Sequence, residues 1–184
     1  MRLKVAAIMM SVVAISAVLG ASAYTTGSID RSSTVDVVTD TNGLIGLADG
    51  NSGDLVYTSG GKLTIDFSNA DVSASGVNPD ANFTLGNASA PTTTYAFTMT
   101  NQDSVAHDLT LSYTASDNSV TGDADNIKFL VYDSAGNSLG TASEETALDL
   151  TGTAAGATVY VVVVIDTNGL SDTNNLSGTL KVSA

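Results

Sequence analysis

Two stretches near the middle of this chain alternate large apolar residues with small or polar ones. The large residues are Tyr95, Phe97 and Met99 within residues 93–100, and Leu109, Leu111 and Tyr113 within residues 108–115. A period of two is that of a β-strand with one face toward a core, because successive side chains point to opposite sides of a sheet. Residues 101–104 have the composition of a turn, so the two stretches form either a hairpin or two strands of a sandwich.

The rest of the chain has a similar organisation, with short β-branched or aromatic runs separated by Gly, Asn, Asp and Ser. The candidate strands are residues 34–39, 55–58, 62–67, 93–100, 108–115, 127–133, 146–150, 157–165 and 177–182. The run 159–165 is apolar on both faces, which is typical of a central strand. The pattern predicts an all-β fold, a jelly-roll-like or Ig-like β-sandwich.

The N-terminus has the three parts of a secretory signal peptide. Arg2 and Lys4 precede an apolar run over residues 5–19, and Ala21 and Ala23 supply the small residues of a cleavage site. We expect cleavage after Ala23 and export to the cell surface or the extracellular space. The alternative is a retained anchor, because the run approaches the roughly 20 residues of a spanning helix.

This interpretation predicts a signal peptide at residues 1–23, an N-terminal arm at 24–39 and a single sandwich domain at 40–184. No stable membrane span is expected after processing. Beyond residue 23, four basic residues stand against all 19 acidic residues, a formal charge of −15. Such a field repels nucleic acid and anionic lipid, which argues against both as partners. With no cysteine in the chain, stability must come from packing, subunit contacts or ions.

The residues needed for catalysis are scarce, so we do not expect an enzyme. His107 is the single histidine, and no G-x-S-x-G, H-E-x-x-H or phosphate-binding glycine loop accompanies it. Its position in a short polar link predicts a solvated loop residue. The adjacent Glu144 and Glu145 lie in a polar stretch without the aromatic surroundings of a sugar-binding site. No catalytic residue is therefore predicted.

Calcium is the one cofactor that the sequence suggests. Asp117, Asp123 and Asp125 share one predicted turn region, and Asp166 and Asp172 share another. Hard cations are held by several such oxygens on a flexible loop. Neither group has EF-hand spacing, and Asp is also a frequent turn residue, so solvated turns are the alternative.

Three sequons of the form N-x-[ST] are candidate glycosylation sites in an exported chain. They begin at Asn82, Asn87 and Asn175. Such triplets also arise by chance in a chain rich in Asn, Ser and Thr, so each is a candidate only.

The sequence resembles a family of small exported archaeal proteins. The motifs that carry the likeness are Ala23-Tyr24-Thr25-Thr26-Gly27, then Arg31 with Val35 and Val37, then Leu44-Ile45-Gly46-Leu47, Gly76-Val77-Asn78 and Phe97-Thr98-Met99-Thr100-Asn101. This family is similar to the TasA/camelysin-like biofilm fibre proteins and the archaeal bundling pilins. The resemblance implies a jelly-roll-like fold whose subunits polymerise when the N-terminal strand of one copy fills a groove in the next.

The residues themselves are compatible with that mode of assembly. The arm at residues 24–33 is polar and lacks a core pattern. The strand that follows consists of Thr34, Val35, Asp36, Val37, Val38 and Thr39. It can add to an exposed sheet edge through backbone hydrogen bonds, or it can pair within its own subunit. The expected function is therefore a subunit of an extracellular homopolymer. The alternative is a monomeric surface or envelope-associated binding module, with or without bound calcium.

Overall fold

The computed structural model describes residues 42–67, 77–115, 126–170 and 176–184, and their regular structure is β-strand throughout. The strands are β1 (Ile45–Asp49), β2 (Val56–Ser59), β3 (Lys62–Ile65), β4 (Asn82–Leu85), β5 (Phe97–Asn101), β6 (His107–Ala115), β7 (Ile127–Tyr132), β8 (Ser138–Ser143), β9 (Leu148–Thr153), β10 (Thr158–Asp166) and β11 (Gly178–Ser183). The predicted signal peptide, the arm and the strand at residues 34–39 lie outside the described residues. Within those described, no helix is long and apolar enough to cross a membrane.

The larger of two main antiparallel sheets has the strand order β1-β5-β10-β7-β8. Strand β10 lies at its centre and pairs with β7 from Tyr160 to Ile165. The opposite edge of β10 is shared, because β5 pairs with its first half and β4 with its second half. The prediction that the apolar run in β10 forms a central strand is thus confirmed.

The smaller sheet has the order β11-β6-β9, and a separate hairpin joins β2 to β3. Strand β6 pairs with β11 over six residues and with β9 on its other side. The β2–β3 hairpin turns at Gly60 and Gly61, whose φ angles of 57° and 81° lie in the left-handed region that favours glycine. The glycine pair in the sequence therefore forms the turn of this hairpin.

The core lies between the two sheets. Phe97, Met99 and Phe129 of the large sheet are buried together with Leu109 and Leu111 of the small one. The Phe129 ring lies 6.4 Å from that of Phe97 and 5.4 Å from that of Tyr113, as measured between centroids. Offset and edge-on aromatic pairs at such separations stabilise a core beyond their buried area. The predicted β-sandwich is confirmed.

One predicted strand is partly wrong. Residues 93–100 were expected to form a continuous strand, but β5 begins at Phe97. Residues 86–96 instead form a loop, called here the outer loop, which crosses the outer face of the large sheet. In it Tyr95 stacks edge-on against Tyr160, with centroids 5.0 Å apart, so its ring faces away from the core that holds Phe97.

The outer loop covers the middle of β10. Val162 of β10 is fully buried although it does not belong to the main core cluster, and Pro91 of the loop is also buried. Asn51 fixes the end of the loop: its Nδ2 donates to Thr93 O at 2.7 Å, and its Oδ1 accepts from Tyr95 N at 3.1 Å. The large sheet is thereby apolar on both faces at its centre, which explains the continuous apolar run.

Strands β5 and β6 lie in different sheets, so the sandwich alternative holds and the hairpin alternative does not. Three further strands, β1, β4 and β8, had no sequence prediction. Strand β8 contains Gly140 at φ 140°, and β4 has only Leu85 buried. Strands β4 and β8 form because they hydrogen-bond to β10 and β7, respectively. Neither segment shows the regular alternation of apolar and polar residues that would predict a strand.

Candidate functional site

An open groove of about 380 Å³ lies at one side of the sandwich, where β9, the β7–β8 turn and the start of β10 meet. Leu150 and Val159 are its buried members and form the floor. Thr151 and Thr158 line the sides, and Asp133 and Asp149 stand at the rim. An apolar floor with polar sides suits a short peptide segment better than a charged small molecule.

The groove exists because β7 stops early. Its last residue, Tyr132, pairs with Tyr160, so the first residues of β10 extend past the end of β7. The chain turns away over residues 133–137, and β9, which among the described strands pairs only with β6, lies across the gap. The opening is thus a product of unequal strand lengths.

The turn that bounds the groove is built on Asp133. Its Oδ1 accepts hydrogen bonds from Ala135 N at 2.8 Å and Asn137 N at 2.9 Å, and its Oδ2 accepts one from Asn137 Nδ2 at 2.9 Å. These bonds, first those from Asn137, lower the pKa of Asp133 below its usual value. The carboxylate therefore stays ionised and keeps the rim negative.

The second rim carboxylate is also held in place. Asp149 Oδ1 accepts from Thr110 Oγ1 at 2.7 Å across the β6–β9 ladder. On the far wall, the Thr158 and Thr100 hydroxyls are hydrogen-bonded at 2.9 Å. Both hydrogen bonds therefore hold polar groups in place beside the buried Leu150 and Val159.

Several strand edges are open within the described ranges. β1 and β8 end the large sheet, and β9 and β11 end the small one. Such an edge has unpaired N–H and C=O groups to which another strand can hydrogen-bond. Of these edge strands, β9 supplies the largest share of the groove lining and β8 supplies Leu139.

His107 is not the solvated loop residue that its sequence position suggested. It is the first residue of β6, and its Nε2 lies 2.7 Å from Asp103 Oδ2. This hydrogen bond is the main cause that lowers the pKa of Asp103, with Ser104 N donating a further bond at 2.6 Å. The Asp103–His107 hydrogen bond therefore joins the loop after β5 to the first residue of β6.

Of the predicted calcium ligands, Asp166 is described, whereas Asp117, Asp123, Asp125 and Asp172 lie outside the described residues. Asp166 ends β10, and its Oδ1 accepts from Asn168 N at 3.0 Å and Asn168 Nδ2 at 2.6 Å. It therefore caps a turn. Among the described residues, no cluster of three or more His, Cys, Asp or Glu side chains could hold a metal ion.

The described sequons differ in structure, while Asn175 lies outside the described residues. Asn82 begins β4 and pairs with Asp166 in the ladder to β10. Asn87 lies in the outer loop and is exposed.

Sequence reasoning missed both the groove and the residue that ties the two sheets together. Asn101 at the end of β5 is fully buried, and its Nδ2 donates to Val105 O, Thr153 O and Ala154 O at 2.8, 2.9 and 3.2 Å. Its Oδ1 accepts from Asp103 N at 3.0 Å. No local pattern marks such a residue, because two of its partners lie about fifty positions away in the chain. The groove likewise combines three separate segments.

Comparison with known proteins adds no relative: neither a family model nor a curated protein matches this chain.

Proposed function

We propose that this protein is a non-catalytic structural subunit of an extracellular filament, a pilus or matrix fibre that assembles by N-terminal strand donation. The observation that carries the proposal is the groove beside the open edge of β9. A strand from another copy placed there gains backbone hydrogen bonds from the edge and side-chain contacts from the floor.

The proposed donor strand has a matching pattern. In an extended chain Val35 and Val37 share one face, and Asp36 and Val38 share the other. The two valines on one face suit the floor of Leu150 and Val159. A volume of about 380 Å³ is near the lower end of ordinary binding pockets and accommodates a few side chains of this size.

Charge opposes this assembly at low ionic strength. The donor carries Asp36 toward a rim that holds Asp133 and Asp149, and each mature copy has a formal charge of −15. Salt screens such repulsion over a Debye length of about 10 Å at 0.1 M and about 3 Å at 1 M. We therefore expect filaments to form more readily as salt is raised.

Electron microscopy of the exported, purified protein at several salt concentrations tests the proposal. Thin regular filaments are expected for the natural protein, and dispersed particles for a variant that lacks residues 24–39. Filaments that persist after this deletion would exclude strand donation.

A pair of matched substitutions tests the acceptor. Thr151→Tyr fills the groove, whereas Thr179→Tyr makes the same change at an exposed position of β11. Loss of filaments in the first variant and their retention in the second are expected. Dispersed particles from the natural protein under all conditions would favour a monomeric surface binding module instead.

A further inference from the structure

We propose that, of the two sequons within the described residues, Asn87 and not Asn82 receives an N-linked glycan. The inference does not depend on filament formation. It rests on how the outer loop holds the Asn87-Ala88-Ser89 sequon, compared with how β4 holds the Asn82-Phe83-Thr84 sequon.

The Asn87 sequon is presented as an exposed turn. Asn87, Ala88 and Ser89 are all exposed. Asn87 Oδ1 accepts a hydrogen bond from Ser89 N at 2.9 Å, which makes an Asx turn. The Asn87 backbone is also used, since its N–H donates to Thr94 O at 2.8 Å and its C=O accepts from Ala90 N at 3.0 Å. The side-chain nitrogen Nδ2 of Asn87 has no hydrogen-bond partner among the described residues. This is the atom that N-linked glycosylation modifies.

The same turn fixes the two ends of the sequon relative to each other. Oδ1 of Asn87 is bound to the backbone N–H of Ser89, and both residues are exposed. Both the acceptor nitrogen and the hydroxyl that defines the sequon are thus reachable from solvent without unfolding the domain.

The Asn82 sequon is held differently. All three of its residues lie in β4, where they pair with Asp166, Ile165 and Val164 of β10. Phe83 in the middle also stacks edge-on with Phe67, with centroids 6.4 Å apart. Asn82, Phe83 and Thr84 are exposed as well, but their backbone is paired with the central strand of the large sheet. The two sequons therefore differ in backbone conformation, with Asn82 in a strand ladder and Asn87 in a turn.

The reaction needs a lipid-linked oligosaccharide, in which the C1 carbon of the first sugar is joined to a lipid phosphate or diphosphate. Nδ2 of Asn87 attacks C1 and forms the new C–N bond. The C1–O bond to phosphate breaks, its electron pair leaves with the lipid phosphate, and the proton lost from Nδ2 passes to a base of the transferase. No oxidation or reduction takes place.

Loop geometry places the glycan on the outer face of the large sheet. Gly86, which precedes the sequon, passes so close to β10 that an added Cβ would lie 3.1 Å from Val162 Cγ2. The groove, in contrast, lies between β9, the β7–β8 turn and the start of β10. Asn87 is thus not among the residues that line the groove.

Peptide mass spectrometry of the protein exported by the cells that naturally make it tests the assignment. Chymotrypsin cleaves after Phe83 and Leu85, and so puts Asn82 and Asn87 on different peptides. The peptide with Asn87 is expected to carry the glycan mass, and the peptide with Asn82 to have its unmodified mass. An unmodified Asn87, or a glycan on Asn82 alone, would overturn the assignment.

Three variants made in the same cells separate the sequon from the turn. Ser89→Ala keeps the backbone N–H that forms the Asx turn but removes the hydroxyl, so the intact mass should fall by the mass of one glycan. Ser89→Thr should keep the glycan, and Asn82→Gln should leave the added mass unchanged. Near-identical melting temperatures would show that all three remain folded, and a glycan that persists in Ser89→Ala would refute the proposal.

Discussion

The two sheets of the sandwich differ in how completely they are covered. At the centre of the large sheet, β10 has neighbours on both edges, the small sheet on one face and the outer loop on the other. In the small sheet, β6 is buried only through alternate residues such as Leu109 and Leu111, and β9 and β11 have one described partner each. The centre of the large sheet is therefore covered on both faces, whereas the outermost strands of both sheets keep one edge without a described partner.

The strongest test of this difference is to place a charge on the outer face of each sheet. Val162→Asp in β10 buries a carboxylate beneath the outer loop, and we expect a loss of about 4 kcal/mol or more in the free energy of unfolding. Ser112→Asp in β6 puts the same group on the outer face of the small sheet, where a change within about 0.5 kcal/mol is expected. Denaturant unfolding measures both, and similar losses would show that the outer loop does not seal its sheet.

A smaller effect is expected where the sheets are joined. Asn101→Ala removes a fully buried amide and its part-buried hydrogen bonds to the Val105, Thr153 and Ala154 carbonyls, at a cost of about 2–3 kcal/mol. Asn137→Ala, which removes an exposed amide bonded to Asp133, is the control and should cost less than about 1 kcal/mol. Equal costs for the two variants in denaturant unfolding would mean that Asn101 does not connect the sheets.

The smallest effect concerns pH in the polar link between the sheets. The pKa of Asp103 is lowered in the folded state, chiefly by its hydrogen bond with His107. The stability that it contributes is present above the unfolded value of about 3.9 and is lost as pH falls through the folded pKa. Asp103→Asn should therefore give a shallower decline of the thermal midpoint between about pH 4 and pH 2.

Removing the partner supplies the control for that test. His107→Ala deletes the main cause of the lowered pKa of Asp103, so it should flatten the acid decline in the same direction. If the decline in both variants matches that of the natural protein, the Asp103–His107 contact has no part in acid stability.

The local sequence pattern predicts the strands whose own residues alternate regularly or form a continuous apolar run. The alternation around Leu109, Leu111 and Tyr113 correctly indicates β6, and the unbroken apolar run of β10 correctly indicates a strand buried on both faces. The same alternation is misleading at Tyr95, because the backbone turns out of the ladder before Phe97 and carries the tyrosine to the other face. Alternation of apolar residues in the sequence does not show where the backbone leaves the strand conformation.

The groove and the tie at Asn101 could not be predicted from single segments. Asp133 and Asp149 look like ordinary turn and strand-end residues, and they line one groove because β7 ends opposite Tyr160 whereas β10 extends beyond that point to Thr158. Asn101 looks like a turn residue, whereas it is buried and satisfied by carbonyls more than fifty positions away in β9 and just after it. Relations of this kind arise from strand register, which the sequence encodes only through the whole fold.

By itself the sequence determines that this chain is all-β, because its apolar period is two and its turns are rich in Gly, Asn and Asp. It also determines the strongly negative net charge, because that charge depends only on the composition of the chain. Only the tertiary structure decides which sequon lies in a turn and which in a strand ladder, which face of the large sheet is covered, and which strand edge lies beside the groove. Those properties depend on which strands are neighbours and where each one stops, and neither is a local property of the chain.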